Sequence, residues 1–203
     1  LFDVPFSVML RHYKTDWWGE RLTAWDDENL PDTEPLREPL GIAIAASLAG
    51  KLCVVNPFGA VLPQNKRAMA LMWEHIHRFG PAAQNVIRQF IPATFRLETM
   101  AEAALVSEKD EWVLKSDYGA EGEEVSIGKL STAGDWKKCL LHARPGHWVA
   151  QRYFEARANE NGDVVNYGVY LVAGCAAGIY SRSHKGATTD EAMSVATLVR
   201  RDA

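Results

Sequence analysis

Trp112-Val113-Leu114-Lys115-Ser116-Asp117-Tyr118-Gly119-Ala120-Glu121-Gly122-Glu123-Glu124-Val125-Ser126-Ile127-Gly128 reads as a strand over 112–115, a glycine turn over 118–124 and a returning strand over 125–128. Three apolar residues followed by a lysine, just ahead of a glycine-bearing hairpin, form a workable phosphate site. The turn offers backbone N–H groups to an anion, and Lys115 adds a point charge on a flexible stem. The alternative is an edge-strand lysine facing water, a common protective device of sheets. Gly119-x-x-Gly122 is neither a Walker A nor a Rossmann fingerprint, because both need a helix directly after the glycines and here a strand follows.

Downstream of this hairpin the pattern stays β-rich. A short helix is predicted over Asp135–Leu141, then strands over Trp148–Phe154, Val164–Val172 and Ala176–Ser181, with turns at Asn159–Asp163 and Gly174. Upstream the pattern is helical. An aromatic stretch (residues 1–19) and an acidic, proline-rich loop (22–40) precede an Ala-rich helix over Leu40–Leu48, stopped by Gly50. Leu52–Asn56 reads as a buried strand, and helices are predicted over Lys66–Phe79, Ala82–Phe90 and Leu97–Lys109. The fold class is therefore α+β, with a helical first half and then a mostly antiparallel sheet. The expected division is a first lobe over 1–110 and a sheet lobe over 111–203. The chain opens on Leu1 in what reads as an ordered segment, so an upstream segment is expected.

Composition narrows the function classes. At 47% apolar and 24% charged, the chain is globular rather than disordered. A net charge of −4 argues against general nucleic-acid binding, which needs a basic face. There is no signal peptide and no run of 18 apolar residues, so neither export nor a membrane span is expected. Cys53, Cys139 and Cys175 sit among apolar neighbours and read as buried, reduced thiols of a cytoplasmic protein. The six histidines make no metal site: His75 and His77, two apart on a helix, face different directions.

Further candidates sit on the predicted elements. Lys66 opens a helix after the N-cap Asn65, where a cation opposes the helix dipole unless it has another task such as holding phosphate. A solvated first-turn lysine is the alternative. In Trp148-Val149-Ala150-Gln151-Arg152-Tyr153-Phe154, an apolar strand ending in aromatics can bond an adenine edge with its backbone; a plain core strand is the alternative. Arg182 follows the apolar 176–180 run and could clamp phosphate oxygens or simply face water.

The order of these stretches resembles the C-terminal synthetase region of glutathionylspermidine synthases, a circularly permuted ATP-grasp family. The resemblance runs from about residue 8 to 185. It is carried by Tyr13-Lys14-Thr15-Asp16-Trp17-Trp18-Gly19-Glu20, by the 54–66 stretch Val-Val-Asn-Pro-Phe-Gly-Ala-Val-Leu-Pro-Gln-Asn-Lys, by Trp73-Glu74, by 112–115, by 149–154 and by Gly174 through Arg182. The resemblance implies an ATP-grasp fold and an ATP-dependent carboxylate–amine ligase that acts through an acyl phosphate. Its partners would be ATP and small carboxylate and amine substrates. Lys66 and Lys115 match the family's two phosphate-binding lysines. Gln151 and Tyr153, with Arg152 between them, match the strand that lines adenine. Gly119 and Gly122 match the loop covering the phosphates, and Arg182 matches an arginine late in the family's sheet, near the triphosphate; Arg182 and Lys115 are the residues expected to act in catalysis.

Two departures stand out. Ala120, followed by Glu121, replaces the arginine of the phosphate loop. The family's Mg2+ ligands, which include a Glu-x-Asn strand, are expected upstream of residue 1, so no metal ligand is assigned within the chain. These departures keep open a nucleotide-binding or scaffold module without ligase activity, and, more remotely, an interaction domain with no ligand.

Overall fold

The computed structural model describes residues 4–11, 26–27, 30–31, 36–119, 124–143, 145–186 and 192–198. The chain is α+β, helices first and antiparallel sheets after, and it divides into two compact units, 1–68 and 69–203. The 110/111 division expected from composition passes between residues of a single core, as shown below.

In the first unit, β1 (Val8–Leu10) pairs in parallel with β4 (Cys53–Val55), and the two-residue strands β2 (Asp26–Asp27) and β3 (Leu30–Pro31) pair antiparallel. Helix α1 (Arg37–Leu48) ends in a Schellman motif. Gly50 takes φ +69° and its N–H bonds to Ser47 O, while Lys51 N–H reaches back to Ala46 O. Asn56, at φ +62°, clasps the end of β1: its Nδ2 donates to Arg11 O at 2.9 Å, and Arg11 Nε donates to Asn56 O at 2.9 Å. A one-turn helix α2 (Val61–Gln64) follows.

Helix α3 (Arg67–Glu74) leads into the second unit. Asn65 Oδ1 accepts the Arg67 N–H at 2.8 Å, so Asn65 caps it as its sequence suggests. The helix stops at Glu74 and continues as a 3₁₀ turn over Ile76–Arg78. That break brings the His75 and His77 rings to 6.2 Å in a T-shaped contact, which corrects the expectation that they diverge. Helix α4 (Pro81–Phe90) starts with proline at its first position, where the missing N–H costs nothing. The single helix predicted over 97–109 is replaced by a 3₁₀ turn (Leu97–Thr99), a short α5 (Glu102–Ser107) and a second 3₁₀ turn (Lys109–Glu111). Met100 and Ala101 are extended, and Met100 packs on the core.

The central sheet has the order β5 (Thr94–Arg96), β8 (Trp148–Arg152), β6 (Trp112–Ser116), β7 (Val125–Ile127), antiparallel throughout. Successive side chains of a strand point to opposite faces. One face carries Phe95, Trp112, Leu114, Trp148 and Ala150 into the main core, where Leu97, Leu105 and Trp136 meet them. Residues from both sides of position 110 thus share this core. Helix α6 (Ala133–His142) is capped by Thr132 and donates Trp136 Nε1 to Leu105 O at 2.9 Å, which ties it to α5. The other face carries Thr94, Val113, Lys115, Val149 and Gln151.

A second sheet, in the order β11 (Met193–Val195), β10 (Cys175–Lys185), β9 (Asp163–Val172), contains a long hairpin turned by Ala173 and Gly174 at φ +50° and +79°. Cys175 at this turn and Cys53 on the outward side of β4 are exposed, and Cys139 is half-buried. The reading of three buried thiols is thereby corrected: apolar neighbours in sequence do not bury a residue on the open side of a two- or three-stranded sheet. Among the described residues no helix is long and apolar enough to cross a membrane.

Gly128 is fixed by close approach. An added Cβ would lie 1.9 Å from Lys109 O, a backbone atom that Lys109 Nζ helps hold by bonding to Gly128 O. Gly128→Ala is expected to destabilise the protein by about 3 kcal/mol, the scale of a forced overpacking. Gly134→Ala, whose Cβ finds nothing nearer than 3.8 Å, should leave stability unchanged or slightly higher. Urea unfolding of both variants checks this, and an unshifted midpoint for Gly128→Ala would contradict the packing described.

Candidate functional site

The polar face of the central sheet forms the floor of a cavity of about 720 Å³, within the range of sites that hold a small molecule. Strand register explains the floor. Gln151 and Lys115 are the residues of this face that line the cavity; Thr94 and Val113 flank Gln151 on β5 and β6 beneath it, and Lys115 sits two residues beyond Val113, diagonal to Gln151. Trp73 and Met69 of α3, Arg88 and Phe90 of α4, the Ile91–Ala93 connector and Tyr153–Phe154 beyond β8 complete the walls.

Lys115 Nζ donates to Gln151 Oε1 at 2.7 Å. Gln151, 3% exposed, donates its Nε2 to Thr94 Oγ1 at 2.9 Å. The Thr94 hydroxyl in turn donates to Pro92 O at 2.7 Å, an oxygen that also accepts Trp73 Nε1 at 3.1 Å. The lysine's polar neighbour is thus a neutral amide, and burial pushes its pKa below that of an ordinary lysine.

The cavity's charge is one-sided. Two cations, Lys115 and Arg88, line it; Arg152 also borders it, but its side chain lies on the core face with Trp112, and no carboxylate is among the described lining residues. Arg152 is partly balanced from outside: its guanidinium stacks 4.1 Å from the Trp112 ring centroid and reaches Glu108 at 3.4 Å and Glu111 at 3.8 Å. Four aromatics, Trp73, Phe90, Tyr153 and Phe154, supply planar apolar surface beside these charges. Tyr153 N–H is bonded to Glu111 O at 2.8 Å, which fixes the chain where it leaves β8. An anionic ligand with a flat apolar part suits such a lining.

The residues singled out from sequence are distributed as follows. Lys115, Gln151, Arg152 and Tyr153 all line the one cavity. Arg182 lies on β10 and does not line it; its Nε and Nη2 donate to Ala192 O at 3.1 and 3.0 Å. Gly119 donates its N–H to Ser116 Oγ at 3.0 Å and is not a lining residue. Gly122 and Ala120 lie outside the described residues, and Lys66 belongs to the first unit. Trp73, Arg88, Phe90 and Thr94 were not singled out by function. Thr94 falls in a three-residue strand behind Pro92 that periodicity cannot detect, and Arg88 looks like an ordinary basic residue of a helix's last turn. Among the described residues no cluster of three or more His, Cys, Asp or Glu side chains is placed to hold a metal ion.

A family model described as glutathionylspermidine synthase preATP-grasp matches residues 28–199, most of the chain, including the entire cavity lining. No curated protein matches the chain.

The burial of Lys115 has a pH signature. Its folded-state pKa lies below the unfolded value, so the charged form is penalised by folding. That penalty is fully present below the folded pKa and is relieved as pH rises through it, so this group's contribution makes the protein more stable with rising pH up to about 10.4, the ordinary lysine value. NMR titration of the Lys115 side-chain carbons should give a midpoint below the ordinary lysine value of about 10.4. A midpoint at or above that value would contradict the burial.

Proposed function

The chain belongs to the glutathionylspermidine synthase preATP-grasp family, and from that membership we propose that it binds ATP in the cavity over the β5–β8–β6 face as part of an ATP-dependent carboxylate–amine ligase. The observation that carries this reading is the half-buried Lys115 facing a neutral amide, in a cavity that Arg88 also lines and whose described lining residues include no carboxylate. A polyanion with a planar base answers both the charge and the aromatics. The chain as a whole is acidic, so this local excess of positive charge is a feature of the site and not of the composition.

In the proposed reaction a carboxylate oxygen attacks the γ-phosphorus of ATP and ADP leaves, giving an acyl phosphate. The amine nitrogen then attacks the carbonyl carbon, the C–O bond to phosphate breaks, and the amine loses a proton. Negative charge moves among phosphate oxygens in the first step. Lys115 stabilises that charge in a desolvated setting, where a fixed cation is worth more than in water. Tyr153 and Phe154 bracket the base where the chain leaves β8. Arg182 is the arginine that the family resemblance places near the triphosphate; to serve there it must exchange its bonds to Ala192 O for phosphate. Mg2+ is the expected companion of the nucleotide, and no carboxylate that could hold it is among the described residues lining the cavity. We place the reaction in the cytoplasm, where ATP is abundant.

A second reading, a nucleotide-binding module without ligase activity, is favoured by two specific observations. Arg182 is engaged away from the cavity, and the sequence has Ala120 and Glu121 where the resemblance expects a cation. Release of ADP that depends on an added amine separates the two readings.

Titration of the chain with ATP should raise its melting temperature. Binding to the folded state stabilises it by about 2.7 kcal/mol at a hundredfold excess over Kd, roughly 5–10 °C for a domain of this size. Lys115→Met should abolish most of that shift while the variant remains folded. An undiminished shift in Lys115→Met would overturn the role given to this lysine.

A further inference from the structure

We infer that Thr94 is a positioning residue: it fixes the amide of Gln151 and, through that amide, the ammonium of Lys115 in the cavity. The inference concerns the geometry of the free protein, and only its consequence for affinity rests on the nucleotide reading above.

Donor and acceptor chemistry leaves one arrangement. A lysine ammonium has donors and no acceptor, so at 2.7 Å it can meet only the oxygen of the Gln151 amide. The amide's NH2 must then face Thr94, whose hydroxyl oxygen has to accept at 2.9 Å. A hydroxyl has one proton, and Thr94 spends it on Pro92 O at 2.7 Å. The direction of every bond in the series Lys115, Gln151, Thr94, Pro92 is therefore set. Flipping the amide would place NH2 against NH3+ and hydroxyl lone pairs against a carbonyl oxygen. Thr94 is fully buried, at 0% exposed, and Gln151 nearly so, so water does not readily replace a lost partner. Among the described residues the other neighbour of Gln151 Nε2 is Met69 Sδ at 3.8 Å, a weak acceptor.

The surroundings assign no other group to this task. The strand neighbours paired with Lys115 are Val125 on β7 and Val149 on β8, both apolar. Among the described residues the other charged groups lining the cavity are Arg88 from α4 and Arg152 from β8, both cations without an acceptor, so neither can accept from the lysine or from the Gln151 NH2. Trp73 of α3 bonds the same Pro92 O, so the far end of the series is anchored independently of Thr94.

The test is competitive acetylation of Lys115 in the ligand-free chain, read by mass spectrometry, in wild type, Thr94→Val and Thr94→Ser. Val keeps the shape and β-propensity of Thr but removes the hydroxyl; Ser restores it. Thr94→Val should label Lys115 about two- to tenfold faster, the change expected from one lost neutral hydrogen bond. Thr94→Ser should match wild type, and Lys109, bonded to Gly128 O and Ser131 O, should label equally in all three. Equal Lys115 labelling in folded Thr94→Val and wild type overturns the inference, as does a failure of Ser to restore the wild-type rate. Should Thr94→Val not fold, labelling in Gln151→Leu, which removes the Oε1 that Thr94 holds against the lysine, decides: an unchanged rate overturns the inference. ATP titration of the same proteins forms the second arm. Absence of ATP binding in wild type defeats the nucleotide reading alone and leaves the labelling result to decide the role of Thr94.

Discussion

The pairing register of β6 with β8 is the constraint on which the site depends. Leu114 opposite Ala150 and Val113 opposite Gln151 sort the two strands into an apolar face and a polar one. Trp112, Leu114, Trp148 and Ala150 on the first face complete a core with Trp136 and Leu105, and that burial holds the register. A slip by one residue would drive Lys115 and Gln151 into the tryptophans and expose Leu114, reversing every side chain at once. The polar floor is therefore positioned by the core behind it. The site's stiffness comes from hydrophobic packing, while its chemistry comes from the few polar groups on the opposite side of the same strands.

That arrangement also shows what the fold gives up. Desolvating a lysine that has no carboxylate partner among the described residues opposes folding, and the neutral amide of Gln151 only partly compensates. A protein selected for stability alone would place an apolar residue at position 115. The arrangement makes sense for a group that completes its interactions when an anion arrives, because the desolvation has already been carried out in the free protein. Arg152 illustrates the contrast. Its guanidinium is stacked on Trp112 and flanked by Glu108 and Glu111, so it is held and partly balanced whether or not a ligand is present.

Much of this was legible in the sequence, and the rest was hidden for identifiable reasons. The strands 112–116 and 148–152 and the hairpin across Ala173–Gly174 announce themselves through apolar runs and turn glycines. The order of motifs pointed to the family that the match over 28–199 establishes. Thr94 could not be found this way: three residues give no period, and a threonine after a proline reads as loop. The stretch 97–109 has helix-forming composition, yet tertiary packing of Met100 interrupts it. Cysteine burial failed because neighbouring residues along a strand say nothing about which sheet face is covered. Lys66, the glycine loop and Arg182 are motif matches whose convergence on the cavity is a matter of geometry that spacing alone does not specify.

The proposed roles of Lys115, Tyr153 and Phe154 all require that an adenine nucleotide occupy the cavity on the polar face of the central sheet. Photolabelling with an azido-adenine analogue of ATP, followed by peptide mapping, tests it most directly. Saturable labelling, suppressed by excess ATP, is expected in the peptides that carry Tyr153–Phe154 or Arg88–Ala93. Saturable labelling confined to the β9–β10 hairpin or to the first unit would contradict it.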